Sequence, residues 1–277
     1  MNKKYMNKKY MNKKYMNKKQ INWSLASAII GIFLISIFAG CVNKQQPTVN
    51  TSEKVFTFAA GSGEYPPFNF RENGQIKGFD LDIGLALSEK MGVKANPVTN
   101  KWESIIPGLQ AKKYDAIIGS MTITDARKQT VSFTKPYYRS GAALFTMKNN
   151  TDIKSVSDLK GKIIGAIKQS TYEGYAKNYS NDVRGYTADI DALNDLTTGR
   201  LDAVITDKFV GLPIIQKGTL DIKLVTMVQA EEIGIAVRKD DTVLLGKLNN
   251  ALDEIIADGT YDKISKKWFG ESILYTK

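Results

Sequence analysis

One arginine and one aspartate occupy positions that local structure alone does not explain. The arginine is Arg127. It follows a short apolar strand read over 115–118 and a run of small and hydroxylated residues, Gly119-Ser120-Met121-Thr122. Thr124 then reads as an N-cap and Asp125 as a first-turn acid. Arg127 therefore falls in the first turn of a helix, where the macrodipole disfavours a cation. Ligands of α/β proteins usually bind at the C-terminal ends of strands, which is where this arginine sits. Turned inward, its guanidinium would grip a carboxylate with two parallel hydrogen bonds, beside the hydroxyls of Ser120 and Thr122. The alternative is a solvated surface arginine. The aspartate is Asp207, just beyond a strand read over 202–205. It either accepts from an ammonium group or caps the segment that follows.

Further residues fit the same ligand. A helix start at Ser170-Thr171-Tyr172 offers backbone N–H groups to an anion. Lys168, just ahead of it, and Met121, between the two hydroxyls, belong to the same candidate set. Tyr65 and Trp102 would wall a pocket by stacking or, for a basic ligand, by cation–π contact. Otherwise Tyr65 is loop packing and Trp102 a core residue at a helix start. The whole set describes a receptor for a small zwitterion.

Much other chemistry is excluded. The chain has no histidine and one cysteine, which removes Ser-His-Asp triads, imidazole acid–base catalysis, His-based zinc sites, intramolecular disulfides and CxxC centres. Neither GxxxxGK[ST] nor GxGxxG after a strand occurs. No metal or cofactor is expected. Asp80 and Asp82 look like a catalytic carboxylate pair, but at a helix N-terminus they read better as capping plus a solvated face. Basic residues are scattered and not interleaved with aromatics, so no nucleic-acid surface is expected.

The elements that position these residues alternate. A strand over 55–60 ends at Gly61-Ser62-Gly63; Tyr65-Pro66-Pro67-Phe68 is extended because proline excludes helix; Asn73-Gly74 signals a hairpin. A helix over 78–91 places Ile83, Ala86, Leu87 and Met91 on one face and stops at Gly92. A strand over 93–98, a helix over 102–112 and the strand over 115–120 follow. Later come strands over 142–147, 163–167 and 233–237, a helix reaching about 179, one over 193–198, and two C-terminal helices separated by Asp258-Gly259. Strands alternating with helices indicate a parallel sheet. One pattern occurs twice: Leu109, four residues, then Tyr114-Asp115-Ala116-Ile117-Ile118 matches Leu196, four residues, then Leu201-Asp202-Ala203-Val204-Ile205. Two lobes on one plan are the implication.

The N-terminus reads as export machinery. Residues 1–19 repeat Met-Asn-Lys-Lys-Tyr, either as an expanded basic n-region or because Met16 is the true start. An apolar run over 21–40 then ends on Cys41, so residues 1–40 read as a signal peptide. The Phe38-Ala39-Gly40-Cys41 stretch is similar to a lipobox, with Cys41 lipidated; the alternative is an uncleaved anchor. Residues 41–53 read as the lipidated cysteine and a flexible tether. Removing eight signal lysines leaves 31 Lys+Arg against 28 Asp+Glu, a net of +3. The basic whole-chain charge is therefore a targeting feature.

Several motifs together carry a family resemblance. They are Tyr65-Pro66-Pro67-Phe68, Gly78-Phe79-Asp80-Leu81-Asp82, Ile105-Ile106-Pro107-Gly108-Leu109, Ser120 through Arg127, Asp202 through Asp207, and Gly259-Thr260-Tyr261 with Lys266-Lys267-Trp268-Phe269-Gly270. Over about 54–271 the chain resembles the extracellular solute-binding proteins of ABC importers, polar amino acid group (family 3). The resemblance implies an α/β, two-lobe periplasmic-binding-protein-like fold (type II) with two hinge crossings. Lobe 1 would be 54–144 plus 235–277 and lobe 2 would be 145–234. It implies Arg127 on the ligand carboxylate, Asp207 on its α-ammonium, Ser120 and Thr122 as first-lobe contacts, Thr171 and Tyr172 as second-lobe contacts, and Tyr65 and Trp102 as side-chain walls. The implied partners are a free amino acid, ABC permease subunits and the membrane through Cys41, for a monomer on the outer face or in the periplasm. Ser62 stands where members selecting basic or amide side chains often carry Asp, with Glu64 nearby. Specificity among Arg/Lys, Gln, His and cystine is thereby left open. Extracytoplasmic cyclohexadienyl or arogenate dehydratases share the architecture and are the rival reading, with Glu64 or Glu173 as the general acid. A sensory module is a third.

Overall fold

The computed structural model describes residues 54–274. The signal-like segment, Cys41 and the whole tether lie outside the described residues. The chain starts with β1 (Val55–Ala59), a small antiparallel sheet of β2 (Glu64–Tyr65), β3 (Asn69–Glu72) and β4 (Gln75–Lys77), then α1 (Phe79–Lys90) and β5 (Lys94–Val98). A 3-10 turn (Trp102–Ser104) leads into α2 (Ile105–Gln110), β6 (Ala116–Ile117), the one-turn α3 (Asp125–Lys128) and β7 (Val131–Phe133). Next come β8 (Tyr138–Met147), β9 (Ile163–Ile167), α4 (Thr171–Tyr179), β10 (Asp182–Tyr186), α5 (Asp189–Thr197), β11 (Ala203–Asp207) and α6 (Lys208–Gln216). The long β12 (Ile222–Ile233), β13 (Ala236–Arg238), α7 (Thr242–Ala257) and α8 (Thr260–Phe269) finish it.

Two five-stranded sheets repeat one plan, in the orders β5-β1-β6-β13-β7 and β10-β9-β11-β8-β12. In each, three strands pair in parallel, a fourth (β13 or β8) runs opposite to them, and the fifth (β7 or β12) pairs antiparallel to the fourth and so runs with the first three. The parallel pairing expected from alternation is present in three strands of each sheet, and the antiparallel pairings are added to it. The chain passes between sheets twice, from β7 to β8 and from β12 to β13, and both arriving strands add in the opposite sense. The repeated sequence pattern has a shared physical cause. The carboxylate of Asp115 accepts the Thr57 N–H of the parallel neighbour at 3.0 Å. That of Asp202 accepts the Ile163 N–H at 2.7 Å. Each aspartate ties its strand's entry to the strand beside it.

Local signals behave as expected at several points. Asn73 and Gly74 both take positive φ, 51° and 78°, in the β3–β4 hairpin, the backbone an Asn-Gly turn favours. Other boundaries move. The helix read over 102–112 becomes a 3-10 turn plus a short α2, with Pro107 in its first turn, where a missing N–H is tolerated. The strand read from 142 starts at Tyr138, and the helix read from 193 starts at Asp189. The strand read over 233–237 splits, with Ile233 ending β12 and β13 beginning at Ala236.

Three apolar clusters hold the fold, the largest containing residues of both sheets. At its heart Phe68 is fully buried, with ring centroids 5.3 Å from Tyr138, 6.2 Å from Phe209 and 5.3 Å from Phe269. Burying such a ring stabilises by about 1.5–3 kcal/mol. It also pins the loop that carries Tyr65. Among the described residues no helix is long and apolar enough to cross a membrane.

Candidate functional site

A cavity opens at strand ends and helix starts of both sheets. Its empty volume is about 500 Å³, the open mouth included. The first sheet's connections supply Ser62, Glu64, Tyr65, Asn69, Trp102, Ser120 and Thr122. The second sheet's supply Thr171, Tyr172, Thr187 and Asp189. Of the candidates, Tyr65, Trp102, Ser120, Thr122, Thr171 and Tyr172 therefore line one space.

The Ser120–Arg127 stretch is built as the motif suggests. Thr124 Oγ1 accepts the Arg127 N–H at 3.2 Å, the N-cap bond expected of it. Arg127 turns back, donating Nη1 to the Thr122 carbonyl at 2.8 Å, with its guanidinium 5.3 Å from the Trp102 ring centroid. Burial lowers its pKa, partly offset by Glu231. This is not a solvated surface arginine. It sits directly behind two lining residues, Thr122 and Trp102. Ser120 takes φ 58°, a left-handed backbone that costs about 1–2 kcal/mol outside glycine. A 2.7 Å bond from its hydroxyl to Asp80 helps hold it there. Met121 is fully buried in the first lobe's core. It packs and does not line the cavity. Lys168 is exposed and its stem covers Gly185, outside the lining set.

Asp80 corrects the solvated-face reading. It is completely buried and accepts from Asn69 Nδ2 at 3.0 Å, Ser120 Oγ at 2.7 Å and Tyr137 OH at 2.8 Å. Burial lifts its carboxyl to about 6 against these lowering bonds. Asp82 is held by Lys267 and the Trp268 indole, each at 2.7 Å.

Tyr65 both packs and lines. Its ring stacks on Phe68 at 5.2 Å, and its hydroxyl meets Tyr172 OH at 3.3 Å across the cleft. Trp102 also reaches across, donating Nε1 to the Gln169 carbonyl at 3.4 Å. At the α4 start Ser170 is the N-cap, accepting from Glu173 N at 3.2 Å. Asp207 is an N-cap too, accepting from Phe209 N at 2.7 Å, from Ser140 Oγ at 2.6 Å and from Tyr172 OH at 3.0 Å. Burial raises it to about 6. It lies behind Tyr172, outside the lining set.

Two acids escaped the sequence reading. Asp189, the first residue of α5, is buried, lines the cavity and accepts from Thr206 Oγ1. Burial lifts its carboxyl to about 7, with Asp207 adding to the rise. Glu231 on β12 is buried and accepts from Thr122 Oγ1 at 3.0 Å. Among the described residues no cluster of His, Cys, Asp and Glu is arranged to hold a metal.

The sequence matches the bacterial extracellular solute-binding proteins, family 3, over residues 59–271. The chain belongs to that family. It is 33% identical over 256 residues to the L-cystine-binding protein TcyJ of Escherichia coli, covering 89% of this chain and 96% of that one. An ancestral arginine-binding protein solved with arginine is 41% identical, with TM-score 0.73, covering 79% of this chain and 99% of the other. The ancestral amino acid-binding protein AncCDT-1, a precursor of cyclohexadienyl dehydratase, is 35% identical with TM-score 0.72, covering 78% and 95%. This family-3 chain thus shares its mixed α/β two-lobe fold with amino acid-binding proteins, and its family is extracellular.

Proposed function

We propose that this chain captures a free polar L-amino acid between its lobes and delivers it to the permease of an ABC importer, without covalent chemistry. The observation that carries this is a cavity walled from both sheets, with the Arg127 guanidinium behind one wall and the Asp207 carboxylate behind the other. Arg127 takes the ligand carboxylate, helped by the amides at Thr171 and Tyr172. Asp207 takes the α-ammonium, while Ser120 and Thr122 orient the ligand and Tyr65 and Trp102 flank its side chain. In this reading the lobe built on the first sheet closes on the lobe built on the second, and the ligand stabilises closure through contacts made only there. The mature protein is a monomer held at the membrane by lipid on Cys41.

Titration calorimetry against the twenty amino acids, ornithine and cystine tests this. Arg127→Ala should weaken binding at least about 30-fold, the loss expected on removing a partly buried charge partner. Exposed Lys247→Ala should leave it unchanged. Normal binding by Arg127→Ala would refute the site.

A dehydratase reading is the alternative. It needs a poised acid. Glu173 is committed to Gln169 N at 2.8 Å and Lys177 at 3.0 Å and titrates below its usual range, those bonds outweighing its burial. Glu64 is exposed. Asp189, lifted to about 7 inside the cavity, is the residue that favours this reading. Incubation with prephenate or arogenate, watching for phenylpyruvate or phenylalanine, decides it.

A further inference from the structure

The cavity wall carries two acids and no base among the described residues. Glu64 stands on the first-lobe side and Asp189 on the second, while Arg127 lies behind Thr122 and Trp102. With Arg127 assigned to the ligand's carboxylate and Asp207 to its α-ammonium, Asp189 is the buried acid of the wall with no cation assigned to it, Glu64 being exposed. A buried carboxylate left without a counter-charge is costly, so the ligand that stabilises this site best supplies one.

We propose that Asp189 is a specificity residue that receives a cationic side chain, so that the preferred ligand is a basic amino acid. This rests on the amino acid receptor reading above and names the class of its cargo. Three further observations point the same way. Asp189 is 3% exposed, yet it lines the cavity. Its partner there, Thr206, is a neutral hydroxyl from β11 that leaves the charge unpaired. The remaining wall near it is hydroxylated and aromatic: Thr187 precedes it, and Tyr65 and Trp102 flank the same space. Rings of this kind favour a delocalised guanidinium laid against their faces. A neutral side chain such as glutamine's would leave the Asp189 charge unpaired, and an acidic one would add repulsion.

The probe pair is arginine and citrulline, which share shape and differ in one charge. Calorimetry of the wild-type chain should show arginine binding at least about 30-fold tighter than citrulline, the scale for a desolvated charge pair. In Asp189→Asn, whose amide oxygen still accepts from Thr206, the ratio should shrink to about threefold or less, mainly through weaker arginine binding. Circular dichroism melts confirm that the variant is folded; where it is not, the wild-type ratio decides. Equal wild-type affinities for arginine and citrulline, or a ratio that survives Asp189→Asn, would overturn the inference while leaving the receptor reading intact. An Asp189→Asn variant that loses arginine and citrulline alike would also overturn it, by moving Asp189 onto the α-ammonium. A wild-type chain that binds no amino acid removes the receptor reading and this inference together.

Discussion

Ionising Asp189 costs the folded protein free energy, and that cost is measurable. In an unfolded chain its carboxyl titrates near 3.8; in the fold burial and Asp207 lift it to about 7. A raised acid favours the protonated form in the native state, so the native chain holds more protons than the unfolded one between those values. Stability from this group is therefore full below the unfolded value and is lost as pH rises toward 7. About three units at 1.36 kcal/mol each amount to about 4 kcal/mol. Asp189→Asn removes the titration and keeps the Thr206 hydrogen bond. Urea unfolding of both proteins without added amino acid, in steps from about pH 4 to about pH 8.5, yields two stability profiles. Their difference should swing by about 4 kcal/mol in favour of the variant across that window and flatten above about pH 7. Parallel profiles would mean that burial does not control this carboxyl.

Other perturbations have different signs. Asp80→Ala strands the buried donors of Asn69 and Tyr137 and the half-buried Ser120 hydroxyl and should cost about 3 kcal/mol in urea unfolding, while Asp80→Asn costs far less. Gly119→Ala would place a Cβ 2.5 Å from Gly61 N and 2.6 Å from Gly61 Cα, backbone atoms that cannot swing aside; a loss of about 2 kcal/mol or more is expected from denaturation. Gly246→Ala, in α7 with nothing within 4 Å of the new methyl, should instead gain about 0.5–1 kcal/mol. Tyr65→Phe keeps the Phe68 stack and deletes the hydroxyl that meets Tyr172. Melting should hardly move, whereas calorimetric affinity falls about 2- to 10-fold for every ligand.

What could be read from the chain alone was what local rules govern. Thr124 capping, the Asn73-Gly74 turn and the helix stop at Gly92 are short-range effects, and all three are present. The paired Asp115 and Asp202 pattern was legible because each makes the same strand-entry bond. The missed elements lack such marks. β10, Asp-Val-Arg-Gly-Tyr, is a half-exposed edge strand with little apolar alternation. α6 contains a glycine and Pro213, which read as breakers. Much of β12 is half-exposed, so Glu231 looked like one of many surface acids. Asp189 was hidden because its helix seemed to begin four residues later. Asp80 looked solvated because nothing local reveals that Asn69, Ser120 and Tyr137, far apart in the chain, converge on it.

The residues proposed to anchor the ligand and to select it sit on different pieces of backbone. Arg127 and its Thr122 and Trp102 supports belong to connections of the first sheet, while Thr187 and Asp189 belong to the join between β10 and α5 in the second. That separation makes the binding site modular in descent. On those proposed roles, drift at the β10–α5 join would retune cargo by one or two codon changes while the grip on the α-carboxylate is inherited untouched. A gene duplicated once could thereby found receptors for several nutrients without re-evolving how an amino acid is held.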